Sequence, residues 1–69
     1  MNKFKMFDGV RLTTSKYEKD GVPRDKVGAV LDICDNGIAT GYTVEFSDRA
    51  TGETILLNTF SEDELELVE

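Results

Sequence analysis

The chain has 69 residues, 39% of them hydrophobic and 32% charged, with a net charge of −6. That length holds one domain over residues 1–69 with one modest core, and the composition is too apolar for a disordered chain. Its charge repels phosphate backbones at long range, which counts against nucleic acid as the main ligand and favours a basic protein partner.

The first period-two segment runs from Phe7 to Thr13, with Val10 and Leu12 on one face and Arg11 and Thr13 on the other. This predicts a half-buried strand. Thr14 to Lys26 is a polar stretch with Asp20-Gly21 and the only proline, Pro23. Both are turn chemistry, so the stretch is expected to be an ordered loop, with Tyr17 and Val22 as anchors. Val27 to Cys34 is a short β-branched strand, and Gly28 marks a bulge or a close backbone approach. Asp35-Asn36-Gly37 is a turn, and Ile38 to Gly41 completes the connection.

Tyr42, Val44 and Phe46 alternate with Thr43 and Glu45, the plainest strand pattern in the chain. Asp48 to Glu53 forms a hairpin connection, with Gly52 suited to positive φ. Thr54 to Phe60 is apolar on both faces, which suggests a central strand. Ser61 followed three residues later by Glu64 is a capping-box pattern with room for one 3-10 turn. Leu65 to Val68 is a last short strand.

Five short strands, a long first loop and a 3-10 turn before the last strand predict an all-β fold, a small SH3-like five-stranded barrel. The expected core is Val10, Leu12, Val27, Val30, Leu31, Val44, Phe46, Ile55, Leu57, Leu65 and Leu67.

Gly21-Val22-Pro23, Val27 to Ile33, Tyr42 to Phe46, Gly52-Glu53-Thr54 and Glu62 to Leu67 together resemble a bacterial family of short proteins, domain of unknown function 4926. The similarity covers nearly the whole chain and rests on structural elements. It implies an SH3-like barrel and, through toxin-like genes beside which members lie, an immunity or antitoxin role. Ile38 to Gly41 departs from the family pattern as an insertion-like segment.

The chain has no histidine and one cysteine, Cys34. This removes Ser-His-Asp and Cys-His nucleophile systems and the usual zinc shells, so no enzyme activity, metal or cofactor is expected. Nothing evident lowers the Cys34 pKa, so a small hydrophobe buried at a strand end is preferred to a reactive thiol. Asp32, Asp35 and Asn36 lack the spacing of a calcium loop, and a turn accounts for them. The glycines fit neither a dinucleotide fingerprint nor a P-loop. Paired carboxylates for hydrolysis need a cleft that a barrel of this size hardly offers.

Charge is distributed unevenly. Residues 1–34 carry seven Lys/Arg against five Asp/Glu, a balance of +2, and residues 35–69 carry one against nine, a balance of −8. Glu62, Asp63, Glu64, Glu66 and Glu69 crowd the end of the chain. They read either as a solvated surface, with Glu62 and Glu64 capping the turn, or as a docking face whose self-repulsion a basic partner relieves. An aromatic groove between the first loop and the following turn would combine Tyr17, taken as exposed, with Asp35 to Gly41 and Phe60. The expected partner-binding residues are therefore Tyr17, Asp35, Asn36, Glu62, Asp63, Glu64 and Glu66.

The leading expectation is a non-catalytic module that binds a basic protein such as a toxin or nuclease. One alternative is a nucleic-acid- or ribosome-associated barrel using Lys3, Lys5, Arg11, Lys16 and Lys19. The other is a homo-oligomer, a homodimer included, formed through Ile55 to Phe60. No apolar run reaches membrane-spanning length, and MNKFKMFDGV lacks a signal-peptide h-region, so a cytoplasmic location is expected.

Overall fold

The computed structural model describes residues 2–68. The strands are β1 (Gly9–Leu12), β2 (Val27–Asp35), β3 (Thr40–Ser47), β4 (Thr54–Ser61) and β5 (Leu65–Leu67), with 3-10 turns at Glu18–Asp20 and Glu62–Glu64. The fold is all-β. The strands form one antiparallel sheet in the order β4-β3-β2-β1-β5. No ladder joins β4 to β5, so the sheet is open rather than closed into a barrel.

Alternation along β3 sets the core. Tyr42, Val44 and Phe46 are fully buried, whereas the intervening residues face outward and are half-buried. Phe4, Val10, Leu12, Val22, Val30, Phe60 and Leu65 complete the cluster. The rings meet edge to face: Phe4 on Tyr42 with centroids 5.0 Å apart, and Phe46 on Phe60 at 5.8 Å. Each fully buried side chain of this size stabilises the fold by roughly 1.5–3 kcal/mol. Gly28 lies where backbone and ring come close, since a Cβ there would sit 2.7 Å from the Glu45 carbonyl oxygen and 2.8 Å from the Phe46 ring. Its role is close approach, and the bulge in β2 falls instead between Val30 and Asp32.

That bulge accounts for a change of face. Before it, Gly28 and Val30 point inward. Leu31 is the extra residue, and beyond it Ile33 pairs with buried Tyr42 while Cys34 pairs with Gly41 on the outer face. One inserted residue flips all that follow. Cys34 is accordingly exposed rather than buried, and Leu31 is half-buried rather than core.

Four more expected core residues are corrected. Val27 and Leu57 are on the outer face and more than half exposed, and Ile55 and Leu67 are exposed as well. Strand β4 is not central: it is an edge strand, and its two-sided apolarity leaves Leu57 in solvent. Phe4 and Val22 take up core space from the N-terminal segment and the long loop. Strand β1 starts at Gly9 rather than Phe7, because Phe7 has φ 70 and cannot continue the pleat. Its amide still donates to the Val30 carbonyl at 2.7 Å. Gly52 has the positive φ its hairpin was expected to need.

The long loop is ordered by its own turn. The carbonyl of Tyr17 accepts from Asp20 and Val22, and Gly21 closes the Glu18–Asp20 turn in the left-handed region. Asp20-Gly21 was the sequence signal for it.

Candidate functional site

The acidic run folds onto the body of the protein. The capping box of the second 3-10 turn forms: the Ser61 amide donates to Glu64 Oε1 at 3.1 Å, and the Ser61 hydroxyl donates to the same oxygen at 3.2 Å. Glu64 Oε2 accepts the Tyr17 hydroxyl at 2.8 Å. Glu62 Oε2 accepts the Tyr42 hydroxyl at 3.0 Å, so Glu62 holds a tyrosine where a helix-capping role was expected. Thr13 bonds this turn twice, its amide to the Glu64 carbonyl at 2.9 Å and its hydroxyl to the Asp63 carbonyl at 2.8 Å. Glu66 pairs with Arg11 across the β1–β5 ladder at 2.6 Å, with both side chains largely in solvent, where such a pair contributes little. Glu69 lies outside the described residues.

These bonds set the titration of the turn. Burial opposes the charged form of Glu64, yet hydrogen bonds from Ser61 and Tyr17 together with the Lys16 charge hold its carboxyl below the usual value. The Ser61 hydroxyl likewise holds Asp63 down, helped by the Asp63 amide and the Lys3 charge. Burial and the hydrogen bond to Glu64 raise the Tyr17 phenol. Tyr17 is half-buried rather than exposed: its ring packs edge-on against Phe60 at 5.0 Å.

Asp35 and Asn36 lie at the other end of β2, where they build the turn. Asp35 Oδ1 accepts from the Gly37 amide at 2.9 Å, and Asn36 Oδ1 accepts from Ile38 at 2.9 Å and Ala39 at 3.0 Å. Asp32 Oδ1 accepts the Ile33 amide at 2.9 Å. The three residues expected to serve a turn rather than a calcium loop thus bond backbone amides.

Beside this turn is an open depression of about 640 Å³. Asp35 and Asn36 line one part, with Ile33 and Cys34 from β2, Ala39 from the turn, Thr40 and Gly41 from β3, and Thr59 to Ser61 from β4. Gly41 creates space in it: a Cβ there would come within 2.8 Å of the Thr59 methyl, and Thr59 is tied to Thr43 at 3.1 Å. The expected groove is therefore split. Asp35, Asn36 and Phe60 meet in the depression, whereas Tyr17 does not line it and is joined to Glu64 instead. Ile33, Cys34, Thr59 and Ser61 were missed as lining residues; the bulge hides the faces of Ile33 and Cys34 from any alternation count, and the β3–β4 register decides the other two.

Three of the five basic residues named for a nucleic-acid surface are drawn to separate partners. Arg11 bonds Glu66, and the Lys3 and Lys16 ammonium groups stand over the rings of Phe4 and Tyr17 at 5.3 and 5.5 Å.

A family model described as Domain of unknown function (DUF4926) matches residues 6–67. The chain belongs to this family. The match takes in every strand and both 3-10 turns, so the family unit is the whole sheet with its loop and acidic turn. Neither a curated protein nor a solved structure matches the chain.

Proposed function

We propose that this member of the family is a non-catalytic protein-binding module of SH3-like topology, which takes an extended basic segment of a partner across the depression beside the β2–β3 turn. The strand order, the long loop after β1 and the 3-10 turn before β5 support the SH3-like reading. The observation that carries the binding reading is the depression itself: apolar lining from Ile33 and Ala39 beside the carboxylate of Asp35. A small number of polar groups around an apolar recess is the usual composition of a recognition site. The −8 balance of residues 35–69 adds attraction at a distance for a basic toxin or nuclease, the partner class it suits. Cys34 is a free thiol on the surface, which suits a reducing compartment such as the cytoplasm. No helix among the described residues is long and apolar enough to cross a membrane.

The test is a pull-down with the tagged chain from lysate at low and high salt, run beside Asp35→Lys and Gly41→Val. Capture of a basic protein at low salt, its loss at high salt and its loss with either variant is the expected result. Binding indifferent to salt and to both substitutions would overturn the reading.

A further inference from the structure

The two edges of the sheet are built differently. Strand β5 is three residues long and carries Glu66, paired with Arg11. Strand β4 is eight residues long, reads TILLNTFS, and has neither a charge nor a proline. Natural edges are normally guarded by shortness, charge, proline or a bulge, because unpaired backbone groups template another strand. The irregularity of β4 lies at one end, between Phe46 and Ser47 of its partner strand, and the register from Leu56 to Ser61 is regular. On its far side no strand follows β4, and among the described residues its backbone makes no hydrogen bond beyond the β3 ladder except at its last residue, where the Ser61 amide donates to Glu64 Oε1. The long loop approaches only near Ile55, beside Gly21. Leu57 is 55% exposed on the outer face.

We propose that β4 is a self-pairing edge, along which two copies of this chain associate by antiparallel strand addition between Leu56 and Ser61. Charge selects the occupant. A basic peptide laid along β4 would find no carboxylate on that strand, and an acidic one would find no cation there. A second copy presents the same uncharged edge. Under a two-fold axis, β4 meets β4 with no like charges opposite each other, as a self-complementary interface requires. The nearest carboxylate on that face, Glu45 opposite Leu57, is held within its own sheet by the Thr54 hydroxyl at 2.6 Å. A single added ladder buries less than a standard interface of roughly 1,600 Å², so the association is weak and concentration-dependent. Salt acts on it in a definite sense. Two bodies of charge −6 repel, screening weakens that repulsion, and the dimer therefore strengthens as salt is added. Capture of a basic partner changes with salt in the opposite direction, so the two ideas fail separately.

Sedimentation equilibrium from micromolar to millimolar protein, at low and high salt, is combined with amide hydrogen exchange over the same range. The expected result is a monomer–dimer equilibrium that shifts toward dimer with salt, with slowing of exchange confined to residues 56–61. Leu57→Lys and Leu57→Asp each return the protein to monomer; Leu57 is exposed, so both should fold, and circular dichroism checks that they do. A monomer at every concentration would overturn the proposal. So would a dimer whose residues 56–61 exchange no more slowly than in the monomer, or one that persists in both folded variants.

Discussion

Tyr42 and Tyr17 each donate a hydroxyl hydrogen to a glutamate of the same 3-10 turn, Glu62 in one case and Glu64 in the other. Their surroundings differ. Tyr42 is fully buried, and its oxygen also accepts the amides of Lys3 at 2.9 Å and Phe4 at 3.4 Å. It ties the N-terminal segment to the turn through the core. Tyr17 is half-buried, makes one side-chain hydrogen bond, and ties the long loop to the turn from the surface. The turn is thus the point where three chain segments meet. Its carboxylates act first as acceptors for the protein's own donors, and a count of surface charge overstates what they offer to a partner.

The difference between the two tyrosines is measurable. Tyr42→Phe keeps the ring but leaves the buried Phe4 amide without its acceptor and Glu62 without its donor. Stranding a buried polar group costs about 1–3 kcal/mol. At about 4–8 °C per kcal/mol for a domain of this size, the thermal midpoint should fall by roughly ten degrees. A midpoint within two degrees of the parent, read by differential scanning calorimetry, would show that the hydroxyl is dispensable and that the comparison is wrongly drawn.

Tyr17→Phe should cost less, on the order of 1 kcal/mol, because water can reach the Glu64 carboxylate it leaves behind. The ring still packs on Phe60, so the core is unchanged. The loss should be local: limited proteolysis should cut the loop of residues 14–26 sooner than in the parent, with the sheet intact. Equal loop cutting in the two proteins, or a midpoint shift as large as that of Tyr42→Phe, would remove the distinction between core anchor and surface anchor.

Strand positions were legible because alternation and turn chemistry agree in this chain, as at Tyr42 to Phe46 and at Asp35-Asn36-Gly37. Faces were less so. The bulge at Leu31 has no local signature, since Val-Leu-Asp-Ile pairs equally well without it, and the burial of Cys34 depends on it entirely. The place of β4 at the edge depends on which strands close the sheet, a non-local choice that Thr54 to Phe60 does not encode by itself. The acidic run was visible as charge, but its bonds to Tyr17, Tyr42 and Thr13 span 20 residues for one tyrosine, 47 for the other, and 50 for the Thr13 hydroxyl. No window along the sequence contains them. In the candidate site, Asp35 and Asn36 were found through turn chemistry, whereas the depression beside them arises from the missing side chain of Gly41 between strands.

The smallest effect concerns pH, and it tests whether Glu64 is an internal acceptor. Its carboxyl lies below the ordinary value of 4.5 in the folded protein. As pH falls below that value, the unfolded chain takes up the proton first, so protonation favours unfolding. The contribution of Glu64 is complete above 4.5 and is lost as pH drops through the lower folded value. Asp63 adds the same trend below 3.8. Tyr17 works in the opposite direction: its phenol is raised above 10.0, so its contribution is complete below 10.0 and is lost as pH climbs through the raised value. Glu64→Gln removes the acid-side part from one residue and one of the causes that raise Tyr17. Thermal midpoints recorded from pH 7 to 3 should therefore decline less steeply below 4.5 in Glu64→Gln than in the parent, with a smaller total change than Tyr17→Phe produces at pH 7. Ultraviolet titration of the variant should also bring the Tyr17 phenol back toward its ordinary value. Parallel acid limbs and an unmoved phenol would mean that Glu64 is free in solution, and its carboxylate would then be available to the basic partner after all.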